Sequence, residues 1–299
     1  MPTDSITAIT PPAAASSSLA VTAFGITHPG KVRNSNEDQF VIAELSKRMR
    51  VWQTSLPEPK LQVGEDRAHL FLVADGMGGH QAGERASAIA VAAIEQFTLN
   101  TFRWFFAADS PGAQKVLAQF QAALSQADAK IQEEAAENPE LKGMGTTLTM
   151  AFQLGAQLCI IHVGDSRAYL HRAGQLHQLT KDHTLVAELV RSGALQPEQV
   201  ASHPHRHVIT NVVGGPHAGV KVESRAFEAQ AGDRLLLCSD GLTEMLTDAS
   251  IAEALDGEAD PEKAAKALLD QANESGGKDN ITVVIARFDP VDPDNAHHQ

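Results

Sequence analysis

Short apolar runs rich in β-branched residues recur along the chain, and each is bounded by Gly, Asp or Asn. Runs of this length with such boundaries are typical of β-strands. They predict strands at residues 20–27, 39–43, 69–74, 146–152, 157–163, 167–171, 220–227, 233–238 and 281–288.

Two other stretches repeat apolar residues every three or four positions, the spacing of one helix face. The first contains Ala86, Ile89, Ala90, Ala93, Ile94 and Phe97, and the second contains Val116, Phe120, Ala123, Leu124, Ala127 and Ile131. A helical insert is predicted at about 183–202, and two helices precede the last strand; the pair Asp260-Pro261 opens the second of these. Clustered strands followed by clustered helices favour an α+β fold with antiparallel sheets over an alternating parallel one.

The two ends of the chain carry little that a core would bury. Residues 1–19 are mostly Pro, Ala, Ser and Thr, and residues 290–299 are similarly polar, so both are predicted to be disordered tails. Residues 20–289 contain no repeat and no linker, which predicts one domain. Segments 44–68, which includes Trp52, and 203–219 fit a core poorly and are predicted to be surface insertions.

Composition and charge narrow the class of protein. The chain has 299 residues, of which 43% are hydrophobic, so it can bury a full core. Its net charge of −13 disfavours nucleic acid and acidic lipid as partners. No run approaches a membrane span or a secretion signal. Cys159 and Cys238 lie in apolar runs and are predicted to be buried free thiols, which suits the reducing cytoplasm. Together, these features predict a cytoplasmic protein without membrane or nucleic-acid partners.

Carboxylates lie at the ends of several predicted strands. A buried carboxylate costs several kcal/mol unless it is paired or binds a cation. Any one Asp-Gly is better explained as a turn. The whole set instead favours a hard cation such as Mg²⁺ or Mn²⁺, which takes oxygen ligands. The positions are Asp75, Asp165 and Asp240 after strands, and Glu37-Asp38 and Asp279 before strands.

Seven short motifs follow one another in an order that resembles the metal-dependent protein serine/threonine phosphatases of the PP2C type, in their bacterial form. They are residues 33–38 (RNSNED), 75–80 (DGMGGH), 145–147 (GTT), 163–169 (VGDSRAY), 179–183 (LTKDH), 239–242 (SDGL) and 277–282 (GKDNIT). The resemblance extends over about residues 20–288. It implies a four-layer αββα sandwich of two antiparallel sheets flanked by helices, with metals in a cleft at one end.

The resemblance also implies ligands for Mn²⁺ or Mg²⁺. Asp75 would bridge two ions, Asp240 and Asp279 would complete one, and Glu37 with the backbone carbonyl of Gly76 would complete the other. Asp165, together with Asp240, matches a position that holds a third, weaker ion in bacterial members.

Catalytic roles are implied for two further residues. Asp38 would orient metal-bound water, and Arg33 would grip the substrate phosphate with its planar fork of donors. The implied reaction is hydrolysis of phosphoserine and phosphothreonine by a metal-bridged hydroxide, without a phosphoenzyme. The implied partners are phosphorylated proteins and a serine/threonine kinase that the enzyme opposes, and the protein is expected to be a monomer.

The chain departs from the family pattern at three places. Met77 stands where eukaryotic-type relatives have a histidine that protonates the leaving group, so the general acid is left to water. His80, three residues further on, is left with either a catalytic role or a structural or capping role. The family's flap would be residues 184–218, in which Asn211 replaces a common arginine. Histidines alternate within the flap at His203, His205 and His207. They could form a zinc site, but a polar surface loop is the preferred interpretation.

Two other functions fit part of the pattern. Clustered carboxylates also occur in two-metal nucleases, but the net charge of −13 speaks against that class. A catalytically silent member that binds phosphoproteins as a regulator is the other alternative. The complete acidic set together with Arg33 speaks against it.

Overall fold

The structure is a computed structural model that describes residues 19–48, 63–105, 113–216 and 219–291. The strands in these ranges are β1 (Leu19–His28), β2 (Gln39–Arg48), β3 (Val63–Ala74), β4 (Gly76–Met77), β5 (Gly145–Thr146), β6 (Leu148–Leu154), β7 (Gln157–Val163), β8 (Arg167–Arg172), β9 (Gln175–Gln178), β10 (Val213–Gly214), β11 (Glu223–Glu228), β12 (Arg234–Cys238) and β13 (Ile281–Pro290). The α-helices are α1 (His80–Phe105), α2 (Ala113–Glu137), α3 (Leu185–Arg191), α4 (Asp240–Thr243), α5 (Asp248–Gly257) and α6 (Pro261–Glu274).

Two five-stranded antiparallel sheets form the centre of the fold. Sheet I has the order β1-β13-β12-β8-β9, and sheet II has the order β11-β7-β6-β3-β2. A small third sheet has the order β10-β5-β4. Its strands β4 and β5 lie next to β3 and β6 in the sequence. These antiparallel sheets confirm the predicted α+β class.

Alternation along the strands builds the layers, because successive side chains point to opposite faces of a sheet. In β3, Phe71 and Val73 belong to the core between the two sheets, whereas Leu70 and Leu72 pack with residues of α1 and α2. In β12, Leu237 faces the other sheet, and its neighbours Leu236 and Cys238 pack with residues of α5 and α6. The result is the predicted four-layer αββα sandwich.

The helices follow their apolar stripes. Most residues of the two predicted stripes are buried against sheet II, and Ala93 and Phe97 are half-buried there. Helix α6 begins as predicted, since the Asp260 side chain accepts hydrogen bonds from the backbone N–H groups of Glu262 and Lys263.

The prediction that residues 44–68 are a surface insertion is wrong at both of its ends. Residues 44–48 belong to β2 and residues 63–68 to β3, where Glu44 pairs with His69 and Ser46 with Arg67. Charged residues are tolerated because β2 is the edge strand of sheet II. The middle of the segment, residues 49–62 with Trp52, lies outside the described residues.

Smaller differences concern boundaries. Predicted strand 146–152 is divided at Thr147, and predicted strand 220–227 begins at Glu223. Leu19 pairs with Pro290, so each of the predicted tails overlaps a strand by one residue. The remainder of the N-terminal tail and residues 292–299 lie outside the described residues. Within the described ranges, none of the helices combines the length and the apolar character needed to cross a bilayer.

Candidate metal centre

The register of the strands brings the predicted acidic residues to one end of the sandwich. In sheet II, Gln39 at the start of β2 pairs with Ala74 at the end of β3, so Asp38 and Asp75 lie at the same end of the sheet. In sheet I, Cys238 pairs with both Arg167 and Val283. The three sheet I carboxylates therefore also share one end, because Asp165, Asp240 and Asp279 lie just beyond these paired residues.

The carboxylates act on one another electrostatically. The pKa of Asp75 is raised well above its usual value by burial, and the negative charges of Asp38, Asp240, Asp165 and Asp279 raise it further. Asp75 nevertheless keeps a partly exposed face, so the cluster is open to solvent. Like charges in such a setting favour either proton uptake or a bound cation.

Asp240 shows the same behaviour from the side of sheet I. Burial raises the pKa of Asp240 well above its usual value, followed by the charges of Asp165 and Glu244. Its backbone carbonyl accepts the Glu244 N–H at 2.8 Å in the first turn of α4. The short helix thus holds a second carboxylate beside the cluster.

Asp38 is buried and only partly satisfied. Its Oδ2 accepts hydrogen bonds from Ser239 Oγ at 2.7 Å and from Thr282 Oγ1 at 2.6 Å. Its Oδ1 is buried and has no donor among the described residues. Burial raises the pKa of Asp38 to about 6, although both hydroxyl groups favour the ionised form.

Asp165 carries a second buried oxygen of this kind. Its Oδ1 also has no donor among the described residues. Burial raises the pKa of Asp165 to about 7, with a smaller contribution from the Asp182 charge. Buried carboxylate oxygens without donors fit a hard cation, which takes oxygen ligands and compensates their charge.

Glu37 and Gly76 present oxygens to the same space beside α1. A methyl group at Gly83 would overlap Glu37 Oε2 and would lie 2.8 Å from the backbone oxygen of Gly76. The backbone N–H of Glu37 donates to Asn280 Oδ1 at 2.8 Å, which fixes the entry to β2. The bare helix surface at Gly83 thus leaves room for both predicted ligands.

Replacing Gly83 with alanine is expected to weaken Mn²⁺ binding at least roughly tenfold, because the new methyl group would displace the Glu37 carboxylate. The helix itself should gain stability, since alanine is favoured over glycine by about 1 kcal/mol. Calorimetric Mn²⁺ titration together with thermal unfolding measures both effects. Gly257→Ala is the matched control, because this helical glycine has open space around it. Unchanged Mn²⁺ affinity in Gly83→Ala would contradict the arrangement.

Arg33 lies at the rim of the acidic cluster. Its Nη2 donates to Asp279 Oδ2 at 2.7 Å, and 55% of the side chain is exposed. This hydrogen bond is the main reason that the pKa of Arg33 is raised. The guanidinium is therefore held next to the carboxylates while part of it remains accessible to a ligand from solvent.

Sequence reasoning missed the polar residues that hold these carboxylates. Asn280 donates from Nδ2 to the backbone oxygens of Pro29 and Ser35, and its Oδ1 accepts from Glu37. Thr147 Oγ1 accepts the Asp75 N–H at 3.0 Å and contacts Ser166 Oγ at 2.8 Å. The only signal in the sequence was that each of these residues lies within a motif.

The eight predicted site residues all lie at this end of the sandwich, and the assignment of each to an individual ion stays a prediction. Met77 is in β4, paired with Gly145. His80 opens α1, but its side chain lies outside the described part of the structure.

The three flap histidines do not share one ligand position. His207 Nδ1 lies 2.7 Å from Glu244 Oε1, whereas the His203 and His205 rings are tilted by 59° with centroids 5.8 Å apart. This arrangement favours the polar-surface interpretation over zinc. The contact to Glu244 also ties the flap to the helix that carries Asp240.

Comparison with known proteins supplies the context for this site. A family model described as protein phosphatase 2C matches residues 60–276. The serine/threonine protein phosphatase PstP of Mycobacterium tuberculosis is 43% identical over 234 residues, covering 78% of this chain. The chain spans only 42% of the length of that relative. The serine/threonine phosphatase Stp of Listeria innocua is 33% identical, with 87% of this chain and 92% of the relative covered.

A solved structure provides a comparison with bound metal. The catalytic domain of PstP in complex with two manganese ions superimposes with a TM-score of 0.70 at 35% identity. The match covers 91% of this chain and 99% of that domain.

Proposed function

The chain belongs to the protein phosphatase 2C family, and from this membership we propose that it hydrolyses phosphoserine and phosphothreonine in phosphorylated proteins. The observation that carries the proposal is the set of mutually repelling carboxylates, with donor-free oxygens on Asp38 and Asp165, beside the exposed guanidinium of Arg33. A phosphate monoester needs positive charge at its oxygens, which this combination provides once cations are bound.

The ligand assignment follows the pattern that the family resemblance implies. We propose that Asp75, Asp240 and Asp279 hold one Mn²⁺ or Mg²⁺ ion, and that Asp75, Glu37 and the carbonyl of Gly76 hold a second. When bound, such a pair supplies water of lowered pKa and positive charge for an in-line displacement at phosphorus. The PstP domain, which binds two manganese ions, supports a pair over a single ion.

The residues of the chain contribute binding and orientation. Arg33 is proposed to bind the substrate phosphate through its exposed guanidinium, and thereby to exchange its contact with Asp279 for one with substrate. Asp38 is proposed to accept a hydrogen bond from the attacking water through Oδ1, because Ser239 and Thr282 hold its other oxygen in place. Met77 offers no proton, so solvent is the proposed source of the proton for the leaving group.

Replacing Arg33 with alanine is expected to raise KM for a phosphothreonine peptide roughly tenfold with a smaller change in kcat, because phosphate binding loses its charge-assisted donors. Steady-state kinetics at saturating Mn²⁺ measures both constants. Arg33→Lys keeps the charge without the planar fork and should give an intermediate KM. An unchanged KM in Arg33→Ala would contradict the phosphate-binding role.

Further proposals concern a third metal ion, the oligomeric state, the cellular location and the opposing kinase. We propose that Asp165 and Asp240 hold a third, weaker ion, that the protein acts as a monomer in the cytoplasm, and that it opposes a serine/threonine kinase. The location is supported by Cys159 and Cys238, which are buried and unpaired, as a reducing compartment would keep them.

One assay separates this proposal from its alternatives. Mn²⁺-dependent phosphate release from a phosphothreonine peptide is expected, without cleavage of plasmid DNA under the same conditions. Cleavage of DNA without phosphate release would favour a nuclease. Peptide binding without turnover would favour a silent regulator.

A further inference from the structure

His183 forms hydrogen bonds with both the backbone carbonyl and the backbone N–H of Gly164, the residue that precedes Asp165. Its backbone N–H donates to the Gly164 oxygen at 2.8 Å, and the Gly164 N–H donates to His183 Nδ1 at 3.0 Å. On its other side Gly164 packs against Thr147, where a Cβ would approach the Thr147 side chain to 2.6 Å. The direction of the Asp165 carboxylate thus depends on a turn held between His183 and Thr147.

The same histidine holds the C-terminal part of the flap. Its backbone oxygen accepts the Thr210 N–H at 2.8 Å, and Asn211 Nδ2 approaches its Nδ1 at 3.1 Å. Next to it, the Leu185 N–H donates to the Val208 oxygen at 2.8 Å. Residues 208–211 are therefore attached to the Gly164–Asp165 turn through the backbone and the ring of His183.

The hydrogen bonds determine the tautomer of His183. Gly164 N–H is a fixed donor, and the Asn211 amide cannot rotate usefully because it both donates to and accepts from the backbone of Lys221, at 2.7 and 3.0 Å. Nδ1 must therefore be an acceptor, and the proton of the neutral ring is on Nε2. Burial lowers the pKa of His183, which favours this neutral form.

A metal site is the competing explanation for this region. Ligand atoms of His162, His183 and Glu223 lie within 4.8 Å of one another. However, the free nitrogen of His183 carries its proton, and His162 Nε2 faces the Lys181 oxygen at 3.1 Å. An ion there would have to break bonds on both rings, because a metal binds an unprotonated nitrogen.

We propose that His183 is a positioning residue that couples the 208–211 segment to Asp165, so that order in this segment and cation binding at Asp165 favour each other. The inference rests on the proposed role of Asp165 in holding a weaker ion. Its structural basis is the acceptor at Nδ1, the one atom of the ring that meets both Gly164 and Asn211. His183 would thus be a residue outside the acidic cluster on which cation binding at the site depends.

Two variants separate this role from simple packing. Asparagine places its Oδ1 near the position of a histidine Nδ1, so His183→Asn keeps the acceptor. Glutamine places its amide near the position of Nε2, so His183→Gln leaves Gly164 N–H without its partner. Thermal unfolding of the full chain in EDTA shows whether either variant is destabilised as a whole.

The test is Mn²⁺ titration of the full chain, followed by calorimetry and by Mn²⁺ paramagnetic resonance, with amide hydrogen exchange of peptides covering residues 208–211. We expect His183→Gln to raise Kd for the weakest Mn²⁺ about tenfold while the tighter ions bind unchanged, and His183→Asn to resemble the wild type. Mn²⁺ should slow exchange at 208–211 in the wild type and in His183→Asn, but not in His183→Gln.

Three outcomes would overturn the inference. They are a His183→Gln variant that binds Mn²⁺ and exchanges like the wild type, a wild type without a weak Mn²⁺ site, and equal loss in both variants. Stoichiometric Zn²⁺ binding that His183→Gln and His162→Gln both abolish would assign the region to a metal site instead. Wild-type turnover of a phosphothreonine peptide is measured in parallel, because its absence would count against the proposed function and not against the coupling.

Discussion

Replacing Asp75 or Asp240 with alanine is expected to lower kcat/KM for a phosphothreonine peptide by roughly 1,000-fold or more, which corresponds to about 4 kcal/mol of transition-state stabilisation. The reason is that each carboxylate is central to the acidic cluster, and within the described part of the chain neither forms a salt bridge that could replace the cation. Removing one of them removes a ligand while the other acids remain in place.

The fold should survive these substitutions. In the metal-free protein each of the two carboxylates is partly buried beside like charges, so its removal relieves repulsion. Thermal unfolding in EDTA should therefore give a Tm equal to or above that of the wild type. Asp270→Ala, at an exposed position on α6, is the control that should change neither property. Activity retained in Asp75→Ala or Asp240→Ala would count against the metal centre.

The stability of the metal-free protein is expected to fall as pH rises, opposite to the behaviour of a protein whose carboxylates are paired. Burial raises the pKa of Asp38 from 3.8 to about 6 and that of Asp165 from 3.8 to about 7. The folded state therefore binds more protons than the unfolded state between pH 3.8 and about 7. The free energy of unfolding should decrease through this window, by several kcal/mol in total.

Denaturant unfolding in EDTA at pH 5 and pH 8 measures this difference. Asp165→Asn should show a smaller decrease than the wild type, because one of the titrating groups is gone, and Asp270→Asn should behave like the wild type. Adding Mn²⁺ at pH 8 should restore stability, since the ions bind the ionised carboxylates of the folded state. Equal pH dependence in wild type and Asp165→Asn would show that Asp165 is not held in an unfavourable environment.

The positions of the acids could be predicted from the sequence because each follows or precedes a short, largely apolar run. The run LFLVA ends at Asp75, and the run LLLCS ends at Asp240; both patterns reveal the strand and its end together. The helix stripes were equally readable, since one face of α1 and one of α2 is almost entirely apolar.

Other features depend on contacts between distant parts of the chain. The outer parts of β2 and β3, residues 44–48 and 63–68, were missed because they carry charged residues such as the exposed Glu44 and Arg67, so their composition resembles that of a loop. Ser239, Thr282 and Asn280 are short polar residues of a common type, and only the fold directs them to Asp38 and Glu37. The tautomer of His183 follows from two hydrogen-bond donors, on Gly164 and Asn211, that are distant from it in the sequence.

Phosphate release from a phosphothreonine peptide, measured with EDTA and again after addition of Mn²⁺, tests the central proposal most directly. Turnover should be absent in EDTA, should appear with Mn²⁺, and should remain absent in Asp75→Ala at the same Mn²⁺ concentration. Release that is equally fast in EDTA, or no release from the wild type at any Mn²⁺ concentration, would contradict a metal-dependent phosphatase.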